Sequence, residues 1–234
     1  MCGIVCALNI NENPEILRPQ LLEMSKKLRH RGPDWSGIFS DKNAVLAHER
    51  LAIVDPKSGQ QPLYSKDGRY VLAANGEIYN HLELREKYAK NHDFLTDSDC
   101  EIIIALYNLK GKDFLNDLNG IFGFVLYDSF ENKFLVARDH VGIIPLYVGW
   151  DKNDTMYVSS ELKAIEGKCQ KIEIFPPGSL YHSDDKDYVK WYSKSWMNFE
   201  TVKNSKTKIE LLKKSLEDAV HRQLMSDVPY GVLL

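Results

Sequence analysis

The sequence predicts an α+β protein in which antiparallel sheets are covered by helices. Two observations carry this. Strand-like runs come in bunches, separated by a group of helical runs, instead of alternating with helices one for one. No fixed-period repeat or low-complexity tract interrupts the pattern. The 234 residues are 44% hydrophobic, enough for a buried core and too many for global disorder.

In chain order, CGIVCALNI (2–10) is apolar and partly β-branched and reads as a buried strand. Ile16, Leu17, Leu21, Met24 and Leu28 then recur at near-helical spacing, and Gly32 and Pro33 break the run. WSGIFS, AVLAHERLAIV and YVLAAN read as strands. DPKSGQQPLYSKDG, between the last two, is a long loop of the kind that carries function. Asn80 with Glu83, and Ser98 with Glu101, have capping-box spacing ahead of two helices. IFGFVLYD, KFLVARD, LYVGW and TMYVSS follow as strands, then a short helix SELKAI, the turn FPPG, and the strands SLYHS and YVKWY. Beyond Ser193 the chain turns polar. Ile209, Leu212, Leu216, Val220 and Leu224 then mark an amphipathic helix, and VPYGVLL reads as a strand opening a second α/β unit.

Composition excludes several function classes. Net charge is −3, from 30 basic and 33 acidic residues, so nothing electrostatic calls for nucleic acid or an anionic membrane. No run approaches the roughly 20 apolar residues of a membrane span, and residues 1–8 lack the basic flank of a signal peptide. The four cysteines, Cys2, Cys6, Cys100 and Cys169, are too sparse for a disulfide framework and suit a reducing cytoplasm. No metal site is expected: Cys2 and Cys6 lack a second ligand pair, and HERLA departs from H-E-x-x-H at Ala52. Neither G-x-G-x-x-G nor G-x-x-x-x-G-K-[ST] occurs.

Polar residues inside apolar strands are the candidate site. Each has an ordinary alternative: Cys2 as a packed strand residue, Arg50 as an edge-strand residue facing solvent, Asn75-Gly76-Glu77 as a turn with Gly76 at positive φ, Asp99 as a helix-dipole partner. Jointly the segments MCGI, RHRGPDWSG, HERLAIVD, NGEIYNH, SDCE, ARDHVGIIPLY, SSELKA and FPPG resemble, in order, the N-terminal glutamine amidotransferase domain of the glutamine-hydrolysing asparagine synthetases. SDVPYGVLL resembles the run just before that family's ATP pyrophosphate loop.

The resemblance implies a four-layer α/β/β/α sandwich of the N-terminal nucleophile hydrolase type. It divides the chain into an amidotransferase domain (2–190), a linker (191–205) and the first helix and strand of a truncated synthetase domain (206–234). It implies Cys2 as nucleophile once Met1 is removed, and Asn75 and Gly76 as oxyanion donors. Arg50, Leu51, Ala52, Ile53, Val54, Glu77 and Asp99, with Asn75 and Gly76, would bind L-glutamine, and Leu234 would edge the ATP site. The glutaminase half needs no cofactor; ATP and Mg2+ belong to the missing C-terminal synthetase domain. A homodimer is compatible with the family. The rival readings are an amidotransferase feeding another acceptor and a non-catalytic glutamine- or partner-binding module.

The chemistry suits an N-terminal cysteine. An α-amine has a pKa of about 7.7–8.0 against about 10.4 for lysine, so at pH 7 roughly 10–15% is neutral and able to accept the thiol proton. With Met1 retained, that nitrogen is an amide and cannot do so.

Overall fold

The computed structural model describes residues 1–88, 90–185 and 187–233. Its elements are β1 (Gly3–Leu8), α1 (Pro14–Lys26), β2 (Trp35–Ser40), β3 (Ala44–Arg50), β4 (Leu63–Tyr64), β5 (Tyr70–Ile78), α2 (His81–Tyr88) and α3 (Ile102–Lys110). β6 (Gly120–Asp128), β7 (Lys133–Arg138), β8 (Tyr147–Trp150), β9 (Met156–Ser159), α4 (Leu162–Ile165), β10 (Lys171–Ile174), β11 (Ser179–His182) and β12 (Tyr188–Lys190) follow. α5 (Phe199–Val202) and α6 (Ile209–Arg222) close the series.

The strands form two antiparallel six-stranded sheets, β10-β8-β9-β1-β3-β2 and β12-β11-β7-β6-β5-β4. Side-chain alternation builds the layers. Ile4, Cys6 and Leu8 of β1 point between the sheets, against Val71, Ala73, Val125 and Val136 of the second. Val5 and Ala7 point the other way, onto Leu17, Leu21 and Met24 of α1 and Ala164 and Ile165 of α4. The outer face of the second sheet, with Leu72, Ala74, Phe122 and Phe124, is covered by Leu84 of α2 and Ile102–Leu106 of α3. The order is therefore helix, sheet, sheet, helix. β1 is buried on both faces, which is why CGIVCAL lacks a polar alternate.

The helix starts differ from the capping-box expectation. Asn80 accepts the Asn119 N–H (2.9 Å) and donates to the Asp117 carbonyl (2.9 Å), bridging to the start of β6. Ser98 makes no side-chain cap on the 3-10 turn Asp99–Glu101. Glu101 instead accepts the N–H groups of Leu95 (2.7 Å) and Thr96 (2.8 Å), so its carboxylate closes the preceding loop. β4 and β10 are further strands that polar neighbours hide in the sequence. α6 forms as predicted, but its apolar stripe is bare: Leu216 is 65% exposed. Residues 228–233 form no strand, because no described strand lies alongside to pair with them.

Leu46→Ala, between the sheets, should destabilise the chain by about 2–5 kcal/mol. Leu216→Ala on α6 should change its stability by no more than about 0.5 kcal/mol. Urea unfolding of the two variants checks both.

Candidate active site

β1 lies between β9 and β3, and Gly3 pairs with Glu49. Cys2 therefore arrives at the end of β3, where its Sγ lies 3.4 Å from the Leu51 nitrogen and 3.6 Å from the Leu51 oxygen. A Cβ on Gly3 would stand 2.9 Å from Leu28 Cβ, so glycine lets β1 pass beneath the end of the first helical segment. Arg31 Nε donates to the Cys2 carbonyl (2.8 Å), and Arg31 Nη1 donates to Glu161 (2.8 Å). The Ser160 side chain accepts the Ile4 N–H (3.0 Å). Burial would raise the Glu161 carboxyl, but Arg31, Lys163 and His30 outweigh it and hold the pKa at about 2. The Cys2 thiol is pushed up by burial, opposed by the Leu51 N–H, the N-terminal amine and Arg50.

Arg50 ends β3, an interior strand, and is buried instead of facing solvent at a sheet edge. β3 stops there, so residues 51–54 are a loop and not the strand continuation that AVLAHERLAIV suggests. Arg50 Nη2 donates to the carbonyls of Val54 (3.0 Å) and Asp55 (2.6 Å), and Nη1 makes a longer contact to Pro56 O (3.4 Å). Asp55 holds this loop in shape. It adopts φ = 50°, a left-handed conformation that aspartate tolerates. Its carboxylate accepts the Ser58 N–H (2.9 Å), the Ser58 hydroxyl (2.6 Å) and the Asp97 N–H (2.9 Å). Burial would raise that carboxyl; these donors and Arg50 keep it below the usual range. Gly59 completes the turn, and a Cβ there would meet Arg50 Nη2 at 2.7 Å.

Asn75, Gly76 and Glu77 lie within β5, not in a turn, and Gly76 is not among the residues with positive φ. Glycine is needed for another reason: a Cβ at position 76 would lie 2.3 Å from the Ile121 oxygen on β6. His48 Nε2 is 2.9 Å from the Ala74 carbonyl across the sheet interface, and Gln61 donates to the same oxygen (3.0 Å) while accepting the Ala74 N–H (2.7 Å). Burial lowers the His48 pKa to about 4, so the neutral ring donates through Nε2. The residue before Asn75 is thus anchored from the opposite sheet. Asn75 is fully buried, and among the described residues neither its amide nitrogen nor its oxygen has a hydrogen-bond partner. Asp99 accepts the Ile78 N–H (2.7 Å). Burial, with Glu77 nearby, raises its pKa to about 6 despite that bond. Burial also raises Glu77.

Cys2, Arg50, Leu51, Ile53, Val54, Asn75, Gly76, Glu77 and Asp99 line one cavity, with Met1 and Cys100. Its volume is about 40 Å³, room for a few waters. Ala52 stands apart: its N–H turns to Asp34 (2.9 Å), and it does not line the cavity. Leu234 lies outside the described residues. Arg31, Glu161 and Asp55 were not among the sequence candidates. The Asp-Pro that opens the loop is the one local signal that marks Asp55 as a turn former. Among the described residues, no group of three or more His, Cys, Asp or Glu is disposed to hold a metal ion. No described helix is long and apolar enough to cross a membrane.

Residues 1–190 match the family described as the glutamine amidotransferase domain. The chain belongs to that family. It is similar along its whole length to asparagine synthetase B [glutamine-hydrolyzing] of Escherichia coli, at 50% identity over 42% of that protein. The asparagine synthetase [glutamine-hydrolyzing] of Asparagus officinalis is 47% identical, with 39% of its length covered. The chain thus spans about two fifths of these curated relatives. In fold, the amidotransferase chain is similar to the glutamine phosphoribosylpyrophosphate amidotransferase of B. subtilis, with TM-score 0.66 and 22% identity over 82% of this chain and 50% of the other.

Glu161 provides a test of the scaffold beneath Cys2. A carboxyl held at about 2 when folded stabilises the amidotransferase domain fully above the ordinary carboxylate pKa, and this contribution is lost as pH falls toward 2. Glu161→Gln should therefore cost on the order of 2 kcal/mol at pH 7, with the deficit shrinking below about pH 4. Urea midpoints of both proteins measured from pH 7 to 3 check the sign.

Proposed function

We propose that this chain hydrolyses L-glutamine to glutamate and ammonia through a γ-glutamyl thioester on Cys2. One observation carries the reading: a fully buried Asn75 carboxamide, without a hydrogen-bond partner among the described residues, lines the same cavity as the Cys2 thiol. Buried amides are almost always paired, so an unpaired one in a reactive cavity suits an oxygen that arrives with substrate.

In the proposed mechanism Met1 is removed. That frees the α-amine of Cys2 and withdraws a side chain that lines the cavity. The amine accepts the thiol proton, and Sγ attacks the carboxamide carbon. Negative charge moves to the amide oxygen, which takes hydrogen bonds from the Asn75 side chain and the Gly76 N–H. The carbonyl re-forms as the C–N bond breaks, and the leaving nitrogen takes the proton from the α-ammonium to depart as ammonia. Water then attacks the thioester and releases glutamate and the thiol. Arg50 binds the α-carboxylate, chiefly through Nη1, since Nη2 is committed to the loop. Asp99, with Glu77, holds the α-ammonium, and the loop of Leu51, Ile53 and Val54 flanks the substrate.

We further propose that the ammonia serves an ATP- and Mg2+-dependent synthesis of asparagine from aspartate in a C-terminal domain that residues 206–234 begin. The names and greater lengths of the relatives support this. A reducing, cytoplasmic setting suits the free cysteines Cys2, Cys6, Cys100 and Cys169.

Intact mass should lack Met1, and Cys2→Ala should lose glutamine turnover. Glutaminase activity unchanged in Cys2→Ala, or full activity in protein that retains Met1, refutes the mechanism.

The ammonium site gives a pH prediction. Asp99 attracts an ammonium as the carboxylate and not as the protonated acid, and its pKa is about 6. Glutamine binding to Cys2→Ala, measured by calorimetry, should weaken as pH falls through 6, approaching about tenfold per unit below it. Asp99→Asn in the same background should bind weakly throughout and show no such inflection.

A further inference from the structure

Asp227 lies in the segment after α6, outside the residues that match the amidotransferase family. Among the described residues, no hydrogen bond ties residues 199–233 to the sandwich except those made by Asp227. There are two. The Asp227 N–H donates to the Ile53 carbonyl (3.0 Å), and Asp227 Oδ2 accepts the Asp55 N–H (2.8 Å). They grip the loop on either side of Val54.

The Asp55 N–H and the Val54 carbonyl are two ends of one peptide unit. A trans peptide is planar and its N–H and C=O point in opposite directions. One end of this plane is bonded to Asp227, and the other, the Val54 oxygen, holds Arg50 Nη2 at 3.0 Å. The Asp55 carbonyl holds the same nitrogen at 2.6 Å. Rotation of the Val54–Asp55 plane would break the Asp227 contact and swing the Val54 oxygen away from Arg50 together.

We propose that Asp227 is a positioning residue for the Arg50 guanidinium: it fixes the peptide plane that aims the carboxylate clamp, so the segment after α6 sets the affinity of the glutamine site. This rests on the glutamine reading given above. Asp227 touches neither the thiol nor the cavity. Its effect therefore falls on substrate capture and not on the reacting bonds.

The test uses the full chain and two probes of Cys2. Iodoacetamide reads thiol reactivity without needing the clamp. A chloroketone analogue of glutamine, carrying the α-carboxylate and α-ammonium, alkylates the same thiol saturably when the clamp binds it. Asp227→Ala should raise the half-saturating chloroketone concentration and the KM for glutamine by roughly five- to tenfold, the worth of one lost hydrogen bond. Its maximal alkylation rate, kcat and iodoacetamide rate should stay within about twofold of the parent. Asp227→Asn should restore most of the parental half-saturation, because an amide oxygen still accepts the Asp55 N–H, though more weakly than a carboxylate. Half-saturation in Asp227→Ala equal to the parent's overturns the proposal, as does a loss confined to the maximal rate. A parent labelled by iodoacetamide but not saturably by the chloroketone removes the glutamine reading and the latch with it. Saturable labelling unaltered by Asp227→Ala removes the latch alone.

Discussion

The antiparallel register of β1 on β3 is the constraint from which the site follows. With Gly3 opposite Glu49, the residue before Gly3 meets the end of β3, and the thiol of Cys2 lands on the backbone of Leu51. The same register sets Arg50 beside the thiol, because Arg50 is the last residue of β3. A shift of one position would turn Ile4, Cys6 and Leu8 toward α1 and send Val5 and Ala7 between the sheets. Both faces of β1 are packed, so such a slip is opposed by two layers of the core at once.

Around this register, burial sorts the ionisable groups into two sets. Glu161 and Asp55 are surrounded by donors and held below their ordinary range, which makes them permanent anions within the scaffold. His48 is driven neutral and becomes a hydrogen-bond strut between the sheets. Cys2, Glu77 and Asp99 move the opposite way from the scaffold anions, raised by burial on the walls of the cavity. Groups whose charged forms are left short of partners store the capacity to meet a ligand. Carboxyls that hold the scaffold and carboxyls that line the cavity are thus distinguished by what surrounds them, not by residue type.

This sorting explains what could be read from sequence. Apolar runs and their period located most strands and helices, and the joint order of motif segments located Cys2, Arg50, Asn75 and Asp99, which the structure gathers around one cavity. Long-range partnerships were invisible. Capping-box spacing at Asn80 and Glu101 was real, but the side chains found better partners in Asn119 and in the loop at Leu95. The glycine at 76 suggested a turn, yet it is required by the close approach of β6. Ala52 sits amid cavity residues in sequence but its backbone faces Asp34, since a loop has no strict alternation to carry it inward. Arg31 and Glu161 meet across 130 residues of chain, a pairing no local pattern signals.

The way Arg50 is held bears on what the cavity can accept. Its guanidinium is oriented by backbone carbonyls of Val54 and Asp55, which accept hydrogen bonds without supplying a countercharge. The Asp55 carboxylate is close enough to influence Arg50 but is turned to Ser58 and the Asp97 N–H. A carboxylate bonded directly to Arg50 would neutralise it and leave little attraction for an incoming anion. Carbonyl support leaves Arg50 as an unneutralised cation in the lining of a cavity that also holds the carboxyls of Asp99 and Glu77. A cavity lined by groups of both charges favours a zwitterion over a ligand of either single charge. Such a ligand presents both its charged groups to partners at once, where a simple amide would leave Arg50 and the carboxyls without counterions.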